Sequence, residues 1–155
     1  MNWSSECAGA LAGIWLLMSA VGASAALGEP AASVQVDQMA MGGMRRVAQL
    51  GMVQVHTVVS EDGSVLRQYV GPNGRVVAVA WNTRYKPRLD QLLGEHFAAY
   101  EDASRAASNG KGIVRRATVQ RGDLVVESAS HLGNYRGLAY LRSGLPNGVV
   151  VDAAR

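Results

Sequence analysis

Three histidines, His56, His96 and His131, carry most of the acid–base and metal-binding potential of this 155-residue chain, which has one cysteine. Imidazole needs partners to do chemistry. No two of the three stand at the i, i+4 spacing of a helical metal site or in any other ligand motif. A serine nucleophile needs a base within hydrogen-bond reach and a third group to orient that base. His131 comes nearest, with Ser128 and Ser130 before it, Asn134 after it, and Asp123 and Glu127 on the preceding segment. The G-x-S-x-G elbow of the α/β-hydrolases is missing. His131 is therefore a weak catalytic candidate, at the centre of an alternative reading as a small hydrolase or metal-dependent enzyme. A metal held by His56, His131 and a carboxylate would require the fold to gather them. His96, on the apolar flank of a helix, reads as a boundary histidine. No cofactor and no metal ligand is assigned, and the chain reads first as non-enzymatic.

The elements that must position these groups follow from turn chemistry and periodicity. Asp62-Gly63 and Asn73-Gly74 are hairpin dipeptides flanked by β-rich runs, which predicts a three-strand meander from Met52 to Trp81. Treated as two-residue turns, they set Val59 opposite Leu66, Val55 opposite Val70, Val70 opposite Val77, and Leu66 opposite Trp81. One face then collects Val53, Val55, Val59, Leu66, Val70, Val77, Val79 and Trp81. The reverse face brings His56 opposite Tyr69, with Arg67 beside them over small alanines. That strip of His56, Arg67 and Tyr69 is the candidate binding surface, tyrosine giving stacking area and arginine a charged fork.

Pro87 suits a first helical position. Leu89, Leu92, Leu93, His96, Phe97, Tyr100 and Ala103 then repeat at helical spacing, up to Ser108-Asn109-Gly110. Ser33 offers an N-cap for a short helix through Met41, and the stretch from there to Gly51 is ambiguous. Ile113–Val119, Leu124–Ala129 and Tyr135–Leu141 read as further strands, with a loosely held tail to Arg155. The fold class expected is α+β: an antiparallel sheet of five to six strands (three-strand meander, helix, three strands) with one long helix packed on one face and a short N-terminal helix.

Residues 1–25 read as a secretory signal peptide and 26–155 as a single domain. An apolar run from Ala8 to Val21 is too short to span a bilayer, which takes about 20 residues, and Ala23-Ser24-Ala25 is a small-x-small cleavage site. The segment before the run departs from the usual pattern, having no Lys or Arg and carrying Glu6. Cleavage would remove Cys7, leaving no disulfide, thiolate or cysteine nucleophile. It would also leave 15 basic residues, 13 of them arginine, against 11 acidic ones. They are scattered rather than gathered on a stripe, which argues against nucleic acid as a partner. The tripeptide Arg121-Gly122-Asp123 reads as a hairpin turn. Met39, Met41, Met44 and Met52 read as adaptable core filling.

The segments ALGEPAASVQVDQ, VHTVVSEDGSVLRQYVGPNGRVVAVAW, DQLLGEHF and DLVVESASHLGNYRGLAYLRSGLP resemble an uncharacterised family of exported proteobacterial proteins known only as a domain of unknown function. The resemblance covers nearly all of the chain after Ala25. It implies a periplasmic or secreted location and no activity. The family's glycine-rich stretch before its histidine is replaced here by Ala129-Ser130. The functional expectation is an exported, non-enzymatic envelope protein that binds or assembles a protein, a peptide or an envelope polymer, with no permanent membrane span after cleavage.

Overall fold

The computed structural model describes residues 26–34, 42–108 and 116–152. The expected signal peptide lies outside the described residues, as do residues 35–41 of the expected N-terminal helix. Seven antiparallel strands form one sheet in the order β1-β2-β3-β4-β7-β6-β5. They are β1 (Met44–Leu50), β2 (Val53–Val59), β3 (Val65–Val70), β4 (Val76–Thr83), β5 (Arg116–Arg121), β6 (Leu124–His131) and β7 (Asn134–Leu141). Between β4 and β5 run α1 (Leu89–Leu93), a 3-10 turn (Gly94–His96) and α2 (Phe97–Ser108).

This overturns the expected fold class on three counts. The sheet has seven strands rather than five to six, because the ambiguous stretch before Gly51 is β1, closed onto β2 by a two-residue turn in which Gly51 takes φ 58°. In place of a helix starting at Ser33, the described residues show a 3-10 turn (Ala31–Ser33) after Pro30, with Val34 helical at its end. Ser33 does not cap it; its hydroxyl donates back to the Pro30 carbonyl at 2.6 Å. The long helix is broken at Gly94, where φ is 51° and a Cβ would come within 2.5 Å of Ala26 Cβ.

The first hairpin is paired one residue away from expectation. Val59 faces Val65 and Val58 faces Leu66, because the turn is a three-residue loop. Ser60 N donates to Ser64 O, Gly63 N donates to Ser60 O, and Gly63 takes the left-handed position at φ 81°. A slip of one residue turns every side chain of a strand to the other face. Val58 therefore joins the helix-side core, whereas Val53 and Val55 join the reverse side and Val59 is exposed. The second turn is also a three-residue loop, with Gly71 N donating to Arg75 O. There a β-bulge at Tyr69/Val70 takes up the extra residue. Leu66–Trp81, Arg67–Ala80 and Tyr69–Ala78 pair as expected, while Val70 meets Val76 instead of Val77.

Both faces of the sheet are covered. Leu66, Val79, Trp81, Val119, Leu124 and Val126 pack with Leu92, Leu93, Phe97 and Tyr100 from the helices and with Leu27 and Val34 from the N-terminal segment. That segment is tied in by Leu27 N to Leu92 O and Gly28 N to Val76 O. On the reverse face Val53, Tyr69, Ala78, Ala80 and Leu138 are covered by Leu145, Val149 and Val151. The tail is thus part of a second core, not a loose end. Each large apolar side chain withdrawn from water contributes about 1.5–3 kcal/mol, enough to stabilise a domain without disulfides.

Candidate functional site

The expected strip does not assemble as one surface. Arg67 and Tyr69 share the reverse face, but His56 pairs with Gln68 and points to the helix side. Tyr69 is only 4% exposed beneath the C-terminal segment. Burial there raises the pKa of its phenol above the usual value, against the pull of the neighbouring Arg67 guanidinium.

His56 is 7% exposed, and neither ring nitrogen has a hydrogen-bond partner among the described residues. Burial first, and then the Arg45 charge, hold its pKa below the ordinary 6.5. The folded state therefore resists a proton that the unfolded chain accepts near that value. Stability is full above it and falls as pH drops from there toward the depressed folded pKa, with a slope of up to about 1.4 kcal/mol per pH unit. Urea midpoints at pH 7.5 and pH 5 are expected to differ for the wild type, and His56→Leu is expected to flatten that difference. The carboxylates with depressed values, Asp62, Asp90 and Asp123, lose their contribution only below their ordinary 3.8. The two windows are therefore separable.

His131 is exposed at the β6–β7 turn, where Leu132 takes φ 44°. Alternation along β6 puts Ser128 and Ser130 on the face opposite His131. Asp123 sits at the far end of the same strand, about 26 Å away at strand rise. Its carboxylate is occupied by Ser143, accepting from the backbone N–H at 2.9 Å and from the hydroxyl at 2.5 Å. This engagement also makes Arg121-Gly122-Asp123 a structural hairpin end. Among the described residues no three His, Cys, Asp or Glu side chains are grouped to hold a metal ion. No described helix is long and apolar enough to cross a membrane.

Two concave surfaces lie among the described residues, one of about 540 Å³ over β5, β6 and β7 and one over the helix-side end of the central strands. A cleft of about 570 Å³ opens between the β2–β3 loop, the end of β4, the β4–α1 link and α1. Leu66, Trp81 and Leu92 line it at depth, each buried. Glu61 and Asp62 from the β2–β3 loop and Tyr85, Lys86 and Arg88 from the β4–α1 link also line it. The position of Asp62 is fixed within its own loop. Asp62 Oδ1 accepts from Ser64 N and Oδ2 from Ser64 Oγ, both at 2.9 Å. These bonds, the backbone one first, keep its carboxyl ionised below the usual range. Ser64 Oγ in turn accepts from Arg84 N at 3.2 Å, tying the loop to the β4–α1 link. Arg88 is held by Asp90 at 2.7 Å, whereas Tyr85 is 72% exposed.

Sequence reasoning assigned Trp81 and Leu66 to the core face and passed over Tyr85 and Lys86. The available signal was an Asn82–Lys86 stretch of polar and aromatic residues between a strand end and the helix-starting Pro87. The arrangement can seat an apolar group in a cleft lined by Trp81 and by charges of both signs.

A family model described as a protein of unknown function (DUF2844) matches residues 23–154. No curated protein and no solved structure matches the chain.

Proposed function

We propose a function for this chain, which belongs to the family of proteins of unknown function DUF2844: it is an exported, non-enzymatic binding module of the cell envelope that takes a polypeptide segment in the Trp81 cleft. The cleft carries this reading. Ligand sites are concave, mostly apolar, and fixed by a few placed polar groups. Here buried Leu66, Trp81 and Leu92 line the cleft together with ionised Asp62 and the Lys86 ammonium. A peptide offers all three complements: an apolar side chain for the floor, backbone amides for the rim, and charges of either sign. Export rests on the apolar run from Ala8 to Val21 with its Ala23-Ser24-Ala25 site. The matched region begins at residue 23, beside the expected cleavage point.

Tyr85 and Lys86 are exposed and serve no described core, so replacing them leaves the fold intact. Aromatic anchors in binding surfaces are worth about 2 kcal/mol or more. Tyr85→Ala with Lys86→Ala is therefore expected to weaken binding by roughly 30-fold. The measurement is recovery of partners from envelope extract on immobilised wild type and double variant, followed by titration of each recovered partner. A folded double variant that retains every partner at full affinity refutes the cleft as the binding site.

A further inference from the structure

We infer that β1 is a self-pairing edge, through which two copies of this chain join their sheets antiparallel about a twofold axis at Val47. An edge strand presents unpaired N–H and C=O groups, and monomeric proteins usually blunt it with charged side chains, proline, bulges or a covering element; of these β1 has only the charges of Arg45 and Arg46. β1 has seven residues, no proline and no register shift against β2. Among the described residues its backbone bonds only to β2. The opposite edge differs: β5 packs against α2.

The apolar surface gathers at the same edge. Of the eight large hydrophobic residues exposed among the described residues, Met44, Val47, Leu50, Met52 and Val59 lie on β1, its turn or β2. Met44 and Met52 are 71% and 61% exposed.

The sequence of β1 selects a second copy as the occupant. Leu50 and Val53 close a two-residue turn, so they form a hydrogen-bonded pair. Strict alternation then aims the backbone groups of Arg45, Val47 and Gln49 outward. Antiparallel pairing must match outward residue to outward residue, so a twofold axis falls on a residue and not between two. An axis on Arg45 or Arg46 sets like charges face to face, which is destabilising. An axis on Ala48 or Gln49 shortens the overlap. An axis on Val47 overlaps the whole strand and sets Val47 against Val47, Met44 against Leu50, Arg45 against Gln49 and Arg46 against Ala48. Each large apolar residue then meets another, and no arginine meets a cation.

The test uses the protein purified from the cells that make it. Sedimentation equilibrium is expected to show the mass rising with concentration from one chain to two. Val47→Lys puts two ammonium groups face to face on the axis. With an unchanged circular dichroism spectrum, it is expected to stay at one chain and raise the dimer dissociation constant at least 10-fold. The paired variant Arg46→Cys, Ala48→Cys places thiols directly opposite in the closer, non-hydrogen-bonded pairs. It is expected to cross-link as a dimer under mild oxidation, which neither single variant does. A wild type that stays at one chain at every concentration overturns the inference, as does a folded Val47→Lys protein that dimerises equally well. Should Val47→Lys not fold, cross-linking decides: a dimer from the paired variant supports the register, and none refutes it.

Discussion

Replacing Trp81 with alanine is expected to remove about 3–5 kcal/mol of folding stability, the usual cost of emptying a large aromatic from a core. Trp81 is 1% exposed on β4, a central strand with β3 on one side and β7 on the other. Leu66 stands opposite it on β3 and Gly137 on β7. Its ring belongs to the core that joins the sheet to both helices. Domains of this size are stable by only about 5–15 kcal/mol, so one substitution consumes a large share. Urea unfolding followed by circular dichroism is the measurement, with the midpoint expected to fall sharply at unchanged slope. Trp81→Phe is expected to recover most of the loss. Because Trp81 also lines the cleft, Trp81→Ala is expected to abolish the proposed peptide binding even where the variant remains folded.

Gly137→Ala is expected to be the most costly single-methyl addition in the central sheet, at about 3 kcal/mol, the upper part of the range for overpacking. A Cβ on Gly137 would lie 2.3 Å from Trp81 Cζ2 and 2.5 Å from the Glu127 carbonyl oxygen. The indole is buried in the core, and the carbonyl belongs to the adjacent strand β6. A double-mutant cycle separates the two collisions. In a Trp81→Leu background the ring contact is gone and the carbonyl contact stays, so Gly137→Ala is expected to cost clearly less there without becoming neutral. Equal costs in both backgrounds would show that the ring does not set the need for glycine.

How much of this was legible depended on the turns. The helix from Pro87 onward and the strands around Leu124–Ala129 and Tyr135–Leu141 declared themselves by periodicity. So did the membership of Leu66, Val79 and Trp81 in the helix-side core. The first hairpin did not, because Asp-Gly serves equally in a two-residue turn and in a three-residue loop that ends on a left-handed glycine. That single ambiguity moved His56 to the buried face and dissolved the expected strip with Arg67 and Tyr69. The same ambiguity at Asn73-Gly74 was harmless, since the bulge at Tyr69/Val70 absorbed it. β1 escaped notice for a different reason. It is an edge with most of its side chains exposed, so it lacks the in–out alternation that marks a half-buried strand. The cleft was invisible because its walls come from three stretches that only the folded sheet brings together.

The strand order carries a kinetic consequence. β4 and β7 are neighbours at the middle of the sheet, yet some fifty residues of chain separate Trp81 from its partner Gly137. Each flanking meander can zip locally, but the two cannot be stitched together until the final quarter of the polypeptide is available. Until then β4 is a bare template for misassociation, and joining distant segments is the slow kind of folding event. Synthesis or threading that halts short of Leu141 would leave an open half-sheet, prone to aggregate, rather than a smaller working version of the molecule.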